Sequence, residues 1–478
     1  MFVVWFLSGL VLIYTSFPHA SREDRFLYLQ PFSQSDFESI QLLPDSIKGK
    51  IELEKQGNKP VYRLYSGRRA QKVYDARSLK LISDFSEEAC RTVAADFLGH
   101  SISKTEQLTE LDQWMPWSYY EPLLPIYKCF GNDPAHTVVY VSSKSGSIVQ
   151  QTNSNSRWAA RLGAIPHWIY FRSLRLKAQL WSTVVIWLAG VGVFVSLTGI
   201  IAGFIRLRKR KKQILHGGNH ITPYKKFWYK WHHLTGFFFG LFVFTFVLSG
   251  LFSMTDLPEW LVPVHSEFSP KKSWNKAVNS GADFQHSPSA IWQALENNAG
   301  IRKISWKNSL GKSAYWVYYA DFRQPEVYLS TPDSIYKQAP FSLSEVEARA
   351  KTISSNTAFS VVAQTEYDNY YQESGMSYHP LPVYRIDWQD AGHNQLFVNP
   401  TTGEAIASFN QSEKIHRWLY RGLHTFNLKF LLQNEWLRKA LLIFLSLGGL
   451  AVSVSGLVLG WNWLKRKFRN NKRKRKTE

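Results

Sequence analysis

Two adjacent histidines, His232 and His233, stand at the basic end of a long apolar stretch, Lys225 to Met254, which reads KKFWYKWHHLTGFFFGLFVFTFVLSGLFSM. Small shifts in surroundings move imidazole between its charged and neutral forms near physiological pH, and the neutral ring is a common metal ligand. At a membrane boundary, beside Gly236 and Gly240, which let something bulky approach, such residues point to a redox cofactor. The alternative is an interfacial histidine set among belt aromatics. Neighbours on a helix point roughly 100° apart, so one of the two, not both, is expected to face the other helices.

The element that must position them is a membrane helix. From Leu234 to Met254 there are about 20 residues without a charge, enough to cross a hydrocarbon layer of roughly 30 Å. Three further apolar stretches run from Met1 to Phe17, from Leu180 to Ile205 and from Ala440 to Trp463. The chain has 478 residues, 19 Trp and only 19% charged residues, so a purely soluble reading is strained. Its net charge of +21 resembles a nucleic-acid footprint, but the basic residues are clustered: six in Arg206–Lys212, three in Lys225–Lys230 and nine in Lys465–Lys476. That placement marks loops on the inner side of a membrane rather than a nucleic-acid partner, and it also suits anionic lipid. The only cysteines, Cys90 and Cys129, have no metal-ligand spacing and are either a single disulfide or two buried thiols.

The expected order is therefore a first transmembrane helix at 1–17, short at its inner end, an outer domain at 18–175, and a second helix at 178–205. A basic inner loop at 206–230 leads to a third helix at 231–254, a second outer domain at 255–436, a fourth helix at 438–463 and a basic tail at 464–478. Both outer domains show alternating strands punctuated by Gly, Asn and Asp, as in PVYRLYSGRRAQKVYDARSLKLI.

An internal duplication ties these parts together. LPIYKCFGNDPAHTVVYVSSKSGSIV, from Leu124, returns as LPVYRIDWQDAGHNQLFVNPTTGEAI, from Leu381, an offset of 257 residues (381 − 124). Without a gap the same offset relates Gly146 to Gly403, His167 to His424, Gly192 to Gly449, Gly199 to Gly456 and Gly203 to Gly460. The first apolar stretch echoes the third at an offset of 241 (250 − 9), where Leu7–Ser8–Gly9–Leu10 matches Leu248–Ser249–Gly250–Leu251. Each copy is a helix, an outer domain and a helix.

The segment LPVYRIDW…LFVNPTTGEAI resembles the PepSY module, and KWHHLTGFFFGLFVFTFVLSGLF and IPHWIYFRSLR resemble PepSY-associated membrane proteins. The resemblance covers nearly the whole chain. It implies a membrane protein with four transmembrane α-helices in two repeats and two periplasmic α+β PepSY-like domains, in a bacterial inner membrane with both termini cytoplasmic. Some relatives are haem-containing reductases of ferric siderophores in iron uptake, whereas soluble PepSY domains are linked to protease inhibition. Two functions follow as expectations: electron transfer through haem b from a separate cytoplasmic or membrane donor to a ferric siderophore, or a non-enzymatic membrane-tethered protein that binds or restrains an envelope partner such as a protease.

On the haem reading the matching ligand positions are His167, His424 and the pair His232/His233. A haem of this kind wants two neutral imidazoles on opposite faces of an apolar slot. His167 and His424 each lie 13 residues before equivalent positions, Leu180 and Leu437, so a pseudo-two-fold axis along the membrane normal puts them at equal depth near the outer mouth, facing each other. The rival expectation is that each anchors its helix–domain junction by bonding a backbone carbonyl. The glycines at 199, 203, 456 and 460 leave room for a macrocycle or simply pack helices. Projected through the 241-residue offset, the duplicate of His232 and His233 falls before Met1, so either the first helix has lost its inner turn or the start lies upstream; His216 and His220 in the basic loop are possible substitutes. His379 and His393 are expected at the surface. Trp114, Trp117, Tyr119 and Tyr120, with Tyr367, Tyr370 and Tyr371, line a siderophore surface, fill a packed core or pack onto the membrane face. No nucleotide-binding loop or nucleophile elbow is present, which makes any electron donor a separate molecule.

Overall fold

The computed structural model describes residues 1–44, 49–66, 69–214, 222, 224–255, 268–275, 284–353, 357–373 and 378–474. His216 and His220 lie outside them. The chain divides into two units: Met1–Phe17, Ser156–Pro258 and Ile415–Glu478 form one, and Pro18–Asn155 with Glu259–Lys414 the other.

The first unit is helical. Its principal helices are α1 (Phe2–Leu12), α2 (Ala178–Ile214), α3 (Phe227–Phe252) and α4 (Glu435–Lys474). Three segments are long and apolar enough to cross a bilayer, Ala178–Arg206, Phe227–Phe252 and Glu435–Arg469. Helices α2 and α4 outrun the apolar windows because Lys and Arg continue a helix well once its core has nucleated. The expected first span is an 11-residue helix, about 16 Å long, roughly half a hydrocarbon layer. Trp187, Phe194, Phe237 and Phe238 are exposed on these helices, a distribution that water penalises and lipid does not.

Helix α3 packs on both α2 and α4, and α1 packs on α4. Glycines set the approach. A Cβ at Gly449 would lie 2.4 Å from the Phe6 ring, and one at Gly192 would lie 2.9 Å from Val247. Gly192 and Gly449 are copies at the 257 offset, and Phe6 and Val247 are copies at the 241 offset, so one helix crossing occurs twice.

The second unit repeats a four-stranded meander, a helix and a second four-stranded meander. The helices are Glu87–Leu98 and Leu343–Ile353, each opened by a serine, Ser86 or Ser342, whose side chain accepts a backbone N–H. The first meanders do not stay separate. Lys50–Gln56 pairs antiparallel with Lys303–Ser309, which joins the two copies in one eight-stranded sheet. In that register Ile51 faces Trp306, Glu52 faces Ser305 and Leu53 faces Ile304. Since 304 − 51, 305 − 52 and 306 − 53 are all 253, equivalent residues exchange places about the Glu52–Ser305 pair, the signature of a local two-fold axis. Each copy covers an inner strand edge of the other, and the apolar faces share a core that includes Leu53, Tyr62, Ile304 and Tyr315.

The later meanders run Ile102–Leu108, Ile126–Gly131, Val138–Ser142, Ile148–Thr152 and, in the second copy, Phe359–Gln364, Val383–Trp388, Gln395–Val398, Ala405–Phe409. Their backbones repeat in detail. Leu124–Pro125 and Leu381–Pro382 are both cis, and His136 and His393 share a positive φ. Cys90 and Cys129 are free thiols in one apolar cluster. Burial pushes them up to about 12 and about 11, so both stay protonated and unreactive near neutral pH.

Candidate metal centre

The helical unit brings His167 and His424 together. His167 lies on the short helix Ala164–Trp168, which Ile169 ends in the left-handed conformation; His424 lies on Leu423–Thr425, ended in the same way by Phe426. The carbonyl freed at each turn has a side-chain donor at the equivalent place: Trp181 Nε1 donates to Trp168 O at 2.8 Å, and Arg438 donates to Thr425 O at 3.0 Å. The two turns are one backbone device with different clamps.

The imidazole centroids of His167 and His424 are 6.2 Å apart, with the ring planes inclined at 64°. At a metal–imidazole bond of about 2.0–2.1 Å, two imidazoles on opposite sides of one metal ion have centroids about 6 Å apart. Each ring is also anchored through Nδ1. His167 Nδ1 lies 3.2 Å from Trp5 O and 3.1 Å from Ser8 Oγ on α1. His424 Nδ1 lies 3.1 Å from Phe246 O and 3.1 Å from Ser249 Oγ on α3. The rings are neighbours, as a shared ligand would require, and each bonds a backbone carbonyl through Nδ1, as the rival expectation has it.

The hydrogen inventory assigns the tautomer. Ser8 Oγ donates to Val4 O at 2.6 Å and Ser249 Oγ to Phe246 O at 2.9 Å, so each hydroxyl meets the imidazole as an acceptor. Backbone carbonyls only accept. Nδ1 must then carry the hydrogen and donate it, which leaves Nε2 with its lone pair bare. A hydrogen-bonded Nδ1–H with an open Nε2 is the form in which histidine binds a metal.

His232 repeats the arrangement from the other side. It leaves α3 to place Nδ1 3.2 Å from Val452 O and 3.0 Å from Ser455 Oγ on α4, and Ser455 Oγ donates to Ala451 O at 2.7 Å. His233 points elsewhere, with its ring 5.6 Å from Tyr224, as the helical angle between neighbours requires. The duplicate of the His232 cradle is Val195–Thr198–Gly199 on α2; Thr198 Oγ1 back-bonds to Phe194 O in the same way, and a Cβ at Gly199 would meet open space.

His393 is exposed, and His379 is half-buried with its Nδ1 on Gln372 O and its ring against Tyr371. Trp117 stacks on Tyr119, which is exposed, whereas Trp114 and Tyr371 belong to cores. Sequence reasoning passed over Ser8, Ser249 and Ser455 as chemistry. Their signal was visible in the repeated WFLSG, FVLSG and VSVSG. It also passed over His416 and Tyr420, which step along one helix toward His424 with ring separations of 6.2 Å and 5.6 Å. A π-turn at Trp418–Gly422 lies within that run.

Among the described residues no group of three or more His, Cys, Asp or Glu could hold a metal ion. Two imidazoles supply only two positions, so the arrangement suits a metal that brings its other ligands with it. No curated protein matches the chain. Residues 331–478, which take in the His424 turn and all of α4, match the family model of the PepSY-associated TM region, a match that supports a membrane protein of the PepSY-associated kind.

Proposed function

We propose that the chain is a haem b-containing electron-transfer protein of a bacterial inner membrane, reducing a periplasmic acceptor such as a ferric siderophore. The observation that carries the reading is the facing pair His167 and His424, at a centroid separation of 6.2 Å with both Nδ1 atoms anchored. A haem bound between them would supply one-electron chemistry. The chain's part is to hold two neutral imidazoles with their Nε2 lone pairs directed away from the carbonyls that orient them. Phe246, whose ring is 5.2 Å from His424 and 6.3 Å from Phe6, helps keep water from the pair. His232, in the same kind of cradle, would serve a second, inner group, and His233 would not.

On this reading the polypeptide crosses the membrane four times, α1 being the short crossing. The basic loop and tail lie in the cytoplasm with both termini, the sheet unit lies in the periplasm, and a separate cytoplasmic or membrane donor supplies electrons. The positive-inside distribution of Arg206–Lys230 and Lys465–Lys476 supports that orientation. Protease treatment of spheroplasts should cut the sheet unit and spare the basic loop; the reverse would overturn it. A reduced-minus-oxidised visible spectrum of the purified protein, made with adequate haem, tests the function. Sharp b-type bands are expected. Their absence would favour the non-enzymatic reading, a membrane-tethered protein that binds an envelope partner such as a protease.

A further inference from the structure

Three imidazoles dock on three different helices in one way. The carbonyl partner, the serine and the following glycine are Trp5, Ser8 and Gly9 on α1, Phe246, Ser249 and Gly250 on α3, and Val452, Ser455 and Gly456 on α4. The spacing has a helical reason. Positions three and four apart share a face, so the carbonyl, the hydroxyl and the bare glycine surface meet one ring. A Cβ on Gly9 or Gly250 would stand 3.5 Å from Cε1 of His167 or His424, and one on Gly456 would stand 3.1 Å from Cε1 of His232. The rings lie directly against the helix backbone.

Packing alone explains the glycines but not the hydroxyls. Alanine fits the same space and avoids the serine back-bond, which slightly weakens a helix. In all three cradles the serine proton is held by the helix's own carbonyls, so the oxygen presents lone pairs to Nδ1–H. Each Nδ1–H therefore meets two acceptors where one would satisfy it.

We infer that Ser8, Ser249 and Ser455 are positioning residues that, as second acceptors, reinforce the Nδ1–H tautomer set by the backbone carbonyls and raise the donor strength of Nε2. This rests on the haem reading and deepens it. Electron density drawn toward the ring through Nδ1–H strengthens the bond from Nε2 to ferric iron more than to ferrous iron, which lowers the midpoint potential of the bound group. Loss of a hydroxyl must move that potential upward.

The test uses the full-length protein in detergent with Ser8→Ala, Ser249→Ala and the corresponding threonine variants. The alanine variants should retain haem and shift its midpoint upward by up to a tenfold change in the ferric-to-ferrous affinity ratio, about 59 mV for one electron. The threonine variants, which keep the hydroxyl, should stay at the wild-type value. Haem lost from the alanine variants but kept by the threonine variants also supports the role; loss from both, or unchanged midpoints in the alanine variants, overturns it. A second readout does not need haem. In histidine-labelled haem-free protein, nitrogen shifts should report Nδ1–H for His167 and His424 and, after Ser→Ala, an Nδ1–H kept by the remaining carbonyl but more weakly hydrogen-bonded. Protons on Nε2 in the wild type would overturn the serine role whatever the haem content. Nδ1–H tautomers in a protein that never binds haem would leave the reinforced tautomer standing but overturn both the potential-tuning role and the haem reading.

Discussion

The two copies of the strand meander fill one buried position with opposite chemistry. In the first copy it is Arg63, almost wholly buried, paired with Glu54 and bonded to Gln56 Oε1 at 2.9 Å and to Ser145 O. In the second copy, 253 residues on, it is Trp316, whose Nε1 donates to Ser309 Oγ at 2.9 Å while Lys307 lies 4.5 Å above its ring. Glu54 corresponds to Lys307 and Gln56 to Ser309, so three partners changed together. The backbone register did not: Glu54 pairs with Val61 as Lys307 pairs with Ala314. Both sets reach the same later turn, through Gly146 O in one copy and Glu404 in the other. A duplicated fold preserves strand register, which one slipped residue would invert, and lets buried side chains change as matched sets.

The histidine turns show the reverse emphasis. Their immediate cradle is the same in both copies, down to the positive φ of Ile169 and Phe426. The approach differs: Tyr420 and His416 in the second copy stand where the first has Gly163 and Ala159. A Cβ at Gly163 would meet Val11 at 2.9 Å, which excludes a tyrosine there. What is repeated is the ring's position and tautomer; what varies is the path leading to it.

The largest expected effect breaks the symmetry of the histidine pair. His167→Ala and His424→Ala should each abolish the same b-type signal, while His379→Ala leaves it intact, as read in difference spectra. Retention of the full signal in either of the first two would show that the pair does not share a group. Next comes the buried position of the meander. Arg63→Ala strands Glu54 and should cost about 3–5 kcal/mol, whereas Trp316→Phe forfeits one hydrogen bond and should cost about 1–3 kcal/mol. Thermal unfolding of the full-length variants would rank them, and equal costs would deny the contrast drawn above.

A smaller difference is expected at the helix crossing. Gly449→Val drives a methyl into the Phe6 ring and Gly192→Val one toward Val247; overpacking of about 1–3 kcal/mol should be greater at Gly449, where the approach is closer. The last prediction concerns Glu52, on the local two-fold axis. Burial works against its ionisation, but Lys303 at 3.7 Å and Lys50 at 2.8 Å outweigh it and hold the carboxyl at about 2. A depressed carboxyl stabilises the fold fully above its unfolded value of about 4.3 and loses that contribution as pH falls toward 2. Glu52→Gln should flatten the stability profile between those values and leave its slope near pH 7 unchanged; an unaltered acid limb would show that the pair contributes nothing.

Much of this was written in the chain. The 257-residue repeat marked His167 and His424 and the paired glycines as equivalent, but not the cis prolines or the left-handed turns that follow the histidines. Hydropathy located three long helices, because about 20 uncharged residues have few other solutions. The apolar run at the N-terminus was a weaker guide: 11 of its residues are helical, and apolarity does not state where a helix stops.

Sequence alone determined the repeat, the apolar helices and the candidate ligands, since periodicity and residue type are properties of the chain itself. Tertiary structure decided that the two first meanders join in one sheet through Lys50–Gln56 and Lys303–Ser309, because strand pairing between distant segments depends on edges that no local pattern labels. It also decided that Ser8 belongs to His167 and Ser249 to His424. A hydroxyl acquires that role only when a separate helix brings a ring to within hydrogen-bond distance, and there the direction of one serine proton reinforces the carbonyl in setting which imidazole nitrogen is left bare.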